Sequence, residues 1–242
     1  MDFSGKTVLV IGGSSGIGNG VAQAFRSRGA TVHVSGTRAD AAAYADEKGS
    51  DLTGLDYARL DVSDEASIAA WPLAFDRLDV LVLSQGAVLY KRREFEPAGF
   101  RAVMDVNLNS LMSLAWKYHD AVANARGSII TISSVGAFRA TRGNPGYAAS
   151  KAGAVHLTRT LGDAWAADGI RVNGVAPGLV ETKMTAVTTG RPDRLAERLD
   201  GIPLKRLGTV DEIAGAVLFL ASPLASYVIG QTIRVDGGRS LA

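Results

Sequence analysis

Tyr147 and Lys151 stand four residues apart in Tyr147-Ala-Ala-Ser-Lys151, a spacing that puts both on one face of a helix. A free phenol has a pKa of about 10, too high for efficient proton exchange near neutrality. A neighbouring ammonium favours the phenolate, so the pair predicts an acid/base with a lowered pKa. Tyr147 would give a proton to a carbonyl oxygen or take one from an alcohol. Alone the pair is a weak signal, because most Tyr-x-x-x-Lys sequences are ordinary exposed helix pairs. Its context is stronger. Ser133 and Ser134 end an apolar run, where a hydroxyl can donate to a developing alkoxide. Asn107, in Asp105-Val-Asn-Leu108, sits in a helical stretch that asparagine disfavours. A helix irregularity with water and lysine nearby accounts for it, and so does a plain surface position.

A second constellation suits a phosphate. Gly12-Gly13-Ser14-Ser15-Gly16-Ile17-Gly18 lies between an apolar run and a helical one. Glycines allow a sharp turn and close approach of a ligand, and the helix start aims N–H groups and a positive dipole end at the gap. Ser14 and Ser15 add hydroxyl donors. The spacing is G-x-x-x-G-x-G, not the common G-x-G-x-x-G, and mere strand-to-helix punctuation is the alternative. The next strand ends Ser35-Gly36-Thr37-Arg38, with no acidic residue until Asp40. An NAD ribose would want a carboxylate there, whereas Thr37 and Arg38 suit the 2′-phosphate of NADP(H). Arg38 as a solvated surface arginine is an equal reading. Asp61-Val62 could read an adenine edge, or Asp61 could cap the following turn.

These residues need elements to hold them. Strands are expected at Thr7–Ile11, Thr31–Ser35, Leu55–Leu60, Leu78–Leu83, Ser128–Ser133, Arg171–Val175 and Thr232–Val235. Helices are expected at Gly16–Arg28, Ala39–Lys48, Glu65–Leu73, one or two over Pro97–Ala125, Tyr147–Ala167 and Asp211–Ala221. Strict alternation predicts a Rossmann-like, doubly wound parallel sheet of about seven strands with helices on both faces. One domain over 1–242 is expected. The irregular stretch Ala176–Leu207, with a short helix near Pro192–Leu199, reads as a substrate lid around 179–207.

Composition narrows the classes. The 242 residues are 47% apolar, with 28 glycines and 7 prolines, a mix of many tight turns without disorder. Net charge is +2 with no basic stripe, so nucleic acid is not an expected partner. There is no cysteine, which removes thiolate chemistry, disulfides and Cys-zinc sites. His33, His119 and His156 show no metal spacing, so no metal is expected. No signal-peptide pattern or bilayer-length run is present, and the expected location is the cytoplasm.

Taken together, these pieces resemble the short-chain dehydrogenase/reductase family, in its compact single-domain branch. The likeness covers nearly the whole chain and includes Asn173-Gly-Val-Ala-Pro-Gly178 and Gly230-Gln-Thr-Ile-Arg-Val-Asp-Gly-Gly238. Ser134 precedes Tyr147 by the family's usual gap. The resemblance implies a tetrad: Tyr147 as acid/base, Ser134 orienting the substrate oxygen, Lys151 on the ribose and tuning Tyr147, and Asn107 supporting a water relay. It implies that Pro177, Gly178, Val180 and Thr182 touch the nicotinamide end. It also implies a homotetramer or homodimer paired through helices at about Leu108–Ala125 and Tyr147–Ala167. Leu83-Ser84-Gln85-Gly86 departs from the family's Asn-Asn-Ala-Gly; Gly86 still lets backbone approach the cofactor, while the bracing amides are gone.

The expected reaction is NADP(H)-linked interconversion of a ketone, such as a 3-oxoacyl thioester like those of 3-oxoacyl-carrier-protein reductases, and a secondary alcohol. The rivals are an NAD(H)-dependent alcohol, sugar or steroid dehydrogenase and a non-catalytic cofactor-binding regulator. Arg139 and Arg142, with Arg191, Arg194 and Arg198 in reserve, either help an anionic substrate or form a solvated basic rim. Trp71, Trp116 and Trp165 read as core or subunit-contact residues.

Overall fold

Short runs rich in valine, isoleucine and leucine become strands buried on both faces, as a parallel sheet covered by helices requires. The computed structural model describes residues 1–241, with backbone only at 187 and 188; residue 242, the end of the expected domain, lies outside the described residues. The strands are β1 (Thr7–Ile11), β2 (Thr31–Gly36), β3 (Asp56–Arg59), β4 (Val80–Leu83), β5 (Ser128–Ile132), β6 (Arg171–Pro177) and β7 (Thr232–Val235). All pair in parallel, in the order β3-β2-β1-β4-β5-β6-β7. The order reverses between β1 and β4. Outside their carboxyl ends lies the crevice where such sheets bind ligands.

The helices are α1 (Gly16–Arg26), α2 (Glu65–Ala70), α3 (Pro97–Met104), α4 (Ser110–Lys117), α5 (His119–Ala125), α6 (Pro145–Ala164), α7 (Ala186–Thr189), α8 (Pro192–Asp200) and α9 (Val210–Ala221). Proline opens α3, α6 and α8, where its missing N–H costs nothing. Strand residues alternate between two apolar layers. Val8, Val10, Val80 and Val82 join Phe25, Ile213 and Val217 beneath α1 and α9. Leu9, Ile11, Leu81 and Leu83 join Leu111, Leu114, Ala154 and Leu161 beneath α4 and α6.

The structure corrects the elements in places. The helix expected at Ala39–Lys48 is only a 3₁₀ turn, Ala42–Tyr44. Its propensity is good, but Tyr44 is its one buried residue, so there is no apolar face to pack. The Tyr44 hydroxyl instead accepts the N–H groups of Thr37 (3.1 Å) and Arg38 (3.2 Å). Helix α2 stops at Ala70 because Trp71, extended ahead of Pro72, cannot continue it. Between α3 and α4 the chain makes a π turn, Asp105–Asn109.

Candidate active site

The glycine turn is where β1 hands the chain to α1. Gly12 has φ +73°, and a methyl on it would stand 2.9 Å from the backbone of Gln85. A methyl on Gly13 would stand 2.7 Å from Val34 Cγ1, and one on Gly18 would strike the Gly12 carbonyl. Ser14 is buried, and Ser15 is the α1 N-cap with no side-chain capping bond. Gly16 donates its N–H to Gly49 O at 2.8 Å. Ile17 packs against the core beneath α1. Asn19 braces the turn, donating to Gly13 O (3.2 Å) and Asp51 O (2.7 Å). The first α1 amides have no partner within the helix, and its first turn carries no acid. Such a backbone arrangement is chemically suited to an anion such as a diphosphate.

At the end of β2, Arg38 stacks over the Tyr44 ring at 4.4 Å and pairs with Glu47. Glu47 also takes Lys183 at 3.1 Å. The expected 2′-phosphate cation is therefore present at the strand end but already holds a carboxylate. Asp61 accepts Ser63 N (3.0 Å) and Ser63 Oγ (2.7 Å), the capping reading of this residue, and Val62 is partly buried against the core.

The residues expected to handle the proton meet at the carboxyl ends of β4 and β5. Asn107 is fully buried in the π turn, which excludes the plain surface reading. It receives Ala87 N at 2.7 Å and donates to Ala87 O (2.9 Å) and Ser150 Oγ (3.1 Å). Ser134 follows β5, and its hydroxyl accepts Gly136 N at 3.0 Å. A Cβ at Gly136 would lie 3.4 Å from Ser134 Oγ and 3.5 Å from Tyr147 Cε1, so hydroxyl and phenol ring border one small space. Lys151 Nζ stands 5.9 Å from the centre of the Tyr147 ring and donates to Ile132 O at 2.8 Å. Ser133, the neighbour of Ser134, does not join them; it bonds Lys151 O at 2.8 Å.

The electrostatics differ from the sequence expectation. Burial holds the Tyr147 phenol above its ordinary value; Ser134 opposes this, while Tyr90 and Glu94 add to it. The lowering expected from Lys151 is not among the causes: the ammonium turns to a strand carbonyl, and desolvation of the ring dominates. Burial pushes Lys151 itself down to about 8.

A Cβ at Gly86 would lie 3.6 Å from Lys151 Nζ, 3.7 Å from Asn107 Oδ1 and 3.7 Å from Met184 Cε. The absent side chain leaves a cradle between lysine, asparagine and the 179–207 segment, which fits the ribose end of a dinucleotide. In place of the family's asparagines, Gln85 donates to Ser110 Oγ at 2.9 Å, while its buried Oε1 has no partner among the described residues. Pro177 ends β6, Gly178 N donates to Val235 O (2.9 Å), and Val180 is buried. Thr182 faces the glycine turn, its Cγ2 3.5 Å from a Cβ placed on Gly16. The 179–207 segment is tied down at Lys48–Glu181 (3.1 Å), Lys183–Glu47 and Tyr90 Oη to Met184 O. Arg139, Arg142, Arg191, Arg194 and Arg198 are all exposed. Glu94, Tyr90, Asn144, Met184 and Asn19 were not singled out by sequence. Their types carry no spacing signal, and only long-range contacts give them a place.

The family model described as enoyl-(acyl carrier protein) reductase matches residues 11–240. The chain is 38% identical over 245 residues to the 3-oxoacyl-[acyl-carrier-protein] reductase FabG of Chlamydia muridarum, covering 96% of each. Among solved structures it resembles Pseudomonas aeruginosa RhlG in an active-site complex with NADP (TM-score 0.87, 28% identity, 99% and 98% covered). It also resembles a short-chain type dehydrogenase/reductase from Mycobacterium ulcerans (TM-score 0.85, 30% identity, 100% and 92% covered). With its glycine cradle, its half-buried tyrosine and buried lysine and this full-length likeness, the chain belongs to the short-chain dehydrogenase/reductase family of oxidoreductases.

Proposed function

We propose that the protein interconverts a ketone of the 3-oxoacyl thioester class and the matching secondary alcohol, with NADP(H) as cofactor. The observation that carries this reading is Tyr147 beside Ser134, with Lys151 and Asn107 buried next to the Gly86 cradle. Full-length similarity to a 3-oxoacyl-[acyl-carrier-protein] reductase supports the substrate class, and similarity to an NADP complex supports the cofactor.

Gly12, Ser14, Ser15, Gly16, Ile17 and Gly18 would hold the diphosphate at the start of α1. Thr37 and Arg38 would hold the 2′-phosphate, Arg38 releasing Glu47 as it does so. Asp61 and Val62 would border the adenine. Gly86, Tyr147 and Lys151 would border the nicotinamide ribose, with Pro177, Gly178, Val180 and Thr182 at the nicotinamide end. When bound, the cofactor supplies a hydride for the carbonyl carbon. Tyr147 gives its phenolic proton to the carbonyl oxygen and is left as phenolate. The Ser134 hydroxyl donates to the same oxygen as its charge grows. The Lys151 ammonium, once turned toward the ring, favours the phenolate, and Asn107 holds the turn through which a proton returns by water. In the reverse direction the phenolate takes the alcohol proton. Residues 179–207 act as the lid, with Met184 over the cradle and the exposed arginines at its rim.

A second copy is read on α4 and α6, where Trp116 and Met112 are exposed beside a groove lined by Leu108, Gly153 and Leu157. The reading is a homotetramer or homodimer in the cytoplasm; no helix among the described residues is long and apolar enough to cross a membrane. The test is NADPH oxidation on a panel of 3-oxoacyl thioesters, other ketones and sugars. Turnover with acetoacetyl-CoA, a higher kcat/KM for NADPH than NADH, and loss of turnover but not of NADPH binding in Tyr147→Phe are expected. Near-parental rates in Tyr147→Phe refute the role of the phenol. Preference for NADH refutes the cofactor.

A further inference from the structure

Glu94 is a carboxylate with 1% of its surface exposed, an unusual place for an acid. Its Oε2 accepts the backbone N–H of Tyr147 at 2.8 Å. Its Oε1 accepts Leu89 N at 2.9 Å and Asn144 Nδ2 at 3.1 Å. Asn144 is the N-cap of α6 yet makes no side-chain capping bond within it. Glu94 does that work from another segment, with its charge at the positive end of a 20-residue helix. A Cβ on Gly146 would lie 3.3 Å from Glu94 Oε2, so the glycine leaves room for the carboxylate.

The same carboxylate holds a strained turn. Lys91 and Arg92 are both left-handed, at φ 56° and 61°, a costly conformation for residues with side chains. They lie between Leu89, which Glu94 and Asn144 pin, and Glu94 itself. Tyr90 sits in this turn and reaches Met184 in the 179–207 segment. One buried acid thus ties the catalytic helix to the wall facing it.

We propose that Glu94 is a positioning residue for Tyr147: it fixes the first turn of α6 and the 87–94 loop against each other, and sets a carboxylate on the backbone of the residue that carries the phenol. This rests on Tyr147 being the acid/base. The charged and titratable groups facing Tyr147 are Glu94 and Tyr90 from the loop and Lys151 from α6; Ser134 adds a neutral hydroxyl and the lid contributes Met184 nearby. A nearby carboxylate disfavours phenolate, so removing its charge lets the phenol ionise at lower pH.

The test uses the full-length protein, 3-hydroxybutyryl-CoA and NADP⁺. In Glu94→Gln the amide can satisfy only one side of the carboxylate's donor set, leaving N–H facing N–H at Leu89 or at Tyr147. We expect kcat to fall about tenfold through lost alignment, with NADPH affinity by fluorescence titration kept within about twofold. The acid limb of the kcat–pH profile should move to lower pH as the charge is lost. Glu94→Asp keeps the charge on a shorter stem; its kcat should fall while its pH midpoint stays. Titration of ¹³Cζ-tyrosine by NMR reads the Tyr147 shift without turnover. A Glu94→Gln protein with parental kcat, or a Tyr147 titration unmoved by that change, overturns the proposal. If Glu94→Gln does not fold, a Glu94→Asp protein with parental kcat overturns it instead. Activity surviving in Tyr147→Phe would instead sink the reading beneath it.

Discussion

Lys151 carries an ammonium into a nearly dry position and gives it a strand carbonyl to lean on. Burial depresses it to about 8, from 10.5 in water. Between those two values the unfolded chain still holds a proton that the folded one has released. The unfolded state then binds more protons, so folding stability rises with pH across that window. Below about 8 both states are charged and the cost of burial is present in full. Lys151→Met should therefore have a higher Tm than the parent at pH 7, with the gap closing from pH 8 to 10.5, while its turnover is lost. A gap that does not change with pH would mean that the ammonium is well solvated. The candidate residues Tyr147, Lys151 and Ser134 were readable because their types and intervals point to a chemistry. Glu94 was not, since a lone acid in Arg93-Glu-Phe95 reads as surface until the fold covers it.

At the scale of the element, packing decided what propensity could not. The Ala39–Lys48 segment has helix-forming residues and no buried face, and Tyr44 pulls it into a turn that caps the β2 end. The asparagine that fits poorly in a helix marks a π turn, where the side chain reaches Ala87 across the gap between elements. Helix α9 ends without a basic residue of its own. Arg171, from β6, supplies the charge: it donates to the carbonyls of Leu220 (2.7 Å), Ala225 (3.1 Å) and Ala221 (3.2 Å). Arg171→Met leaves these carbonyls without that donor and should cost about 2–4 kcal/mol in urea unfolding. A loss below about 0.5 kcal/mol, the range of ordinary surface changes, would show that water replaces the guanidinium without penalty.

Across the whole molecule, the strand order sets where chemistry is possible. Reversal between β1 and β4 opens the crevice, and the ends of β1, β4, β5 and β6 deliver Gly12, Gly86, Ser134 and Gly178 to it. Helices α1 and α9 close one face so tightly that a methyl on Gly20 would strike Val210. The other face leaves α4 and α6 with Trp116 65% exposed, far above Trp71 (7%) and Trp165 (8%). If a second copy covers it, Trp116→Glu should shift the particle mass in analytical ultracentrifugation toward the 25.2 kDa of one chain. A parental oligomer would place the contact elsewhere.

By itself the sequence determined the alternation of strands and helices, the glycine turn and the spacing of tyrosine, lysine and serine. Each of these is local: periodicity, turn geometry and intervals along one helix are properties of neighbouring residues. Tertiary structure alone decided that Arg38 holds Glu47, that Lys151 turns to Ile132, and that Glu94 is buried against Tyr147. Partners 9, 19 and 53 residues apart meet only when the sheet brings them together. Burial then changes what each charged or polar group costs to keep, which no local pattern records.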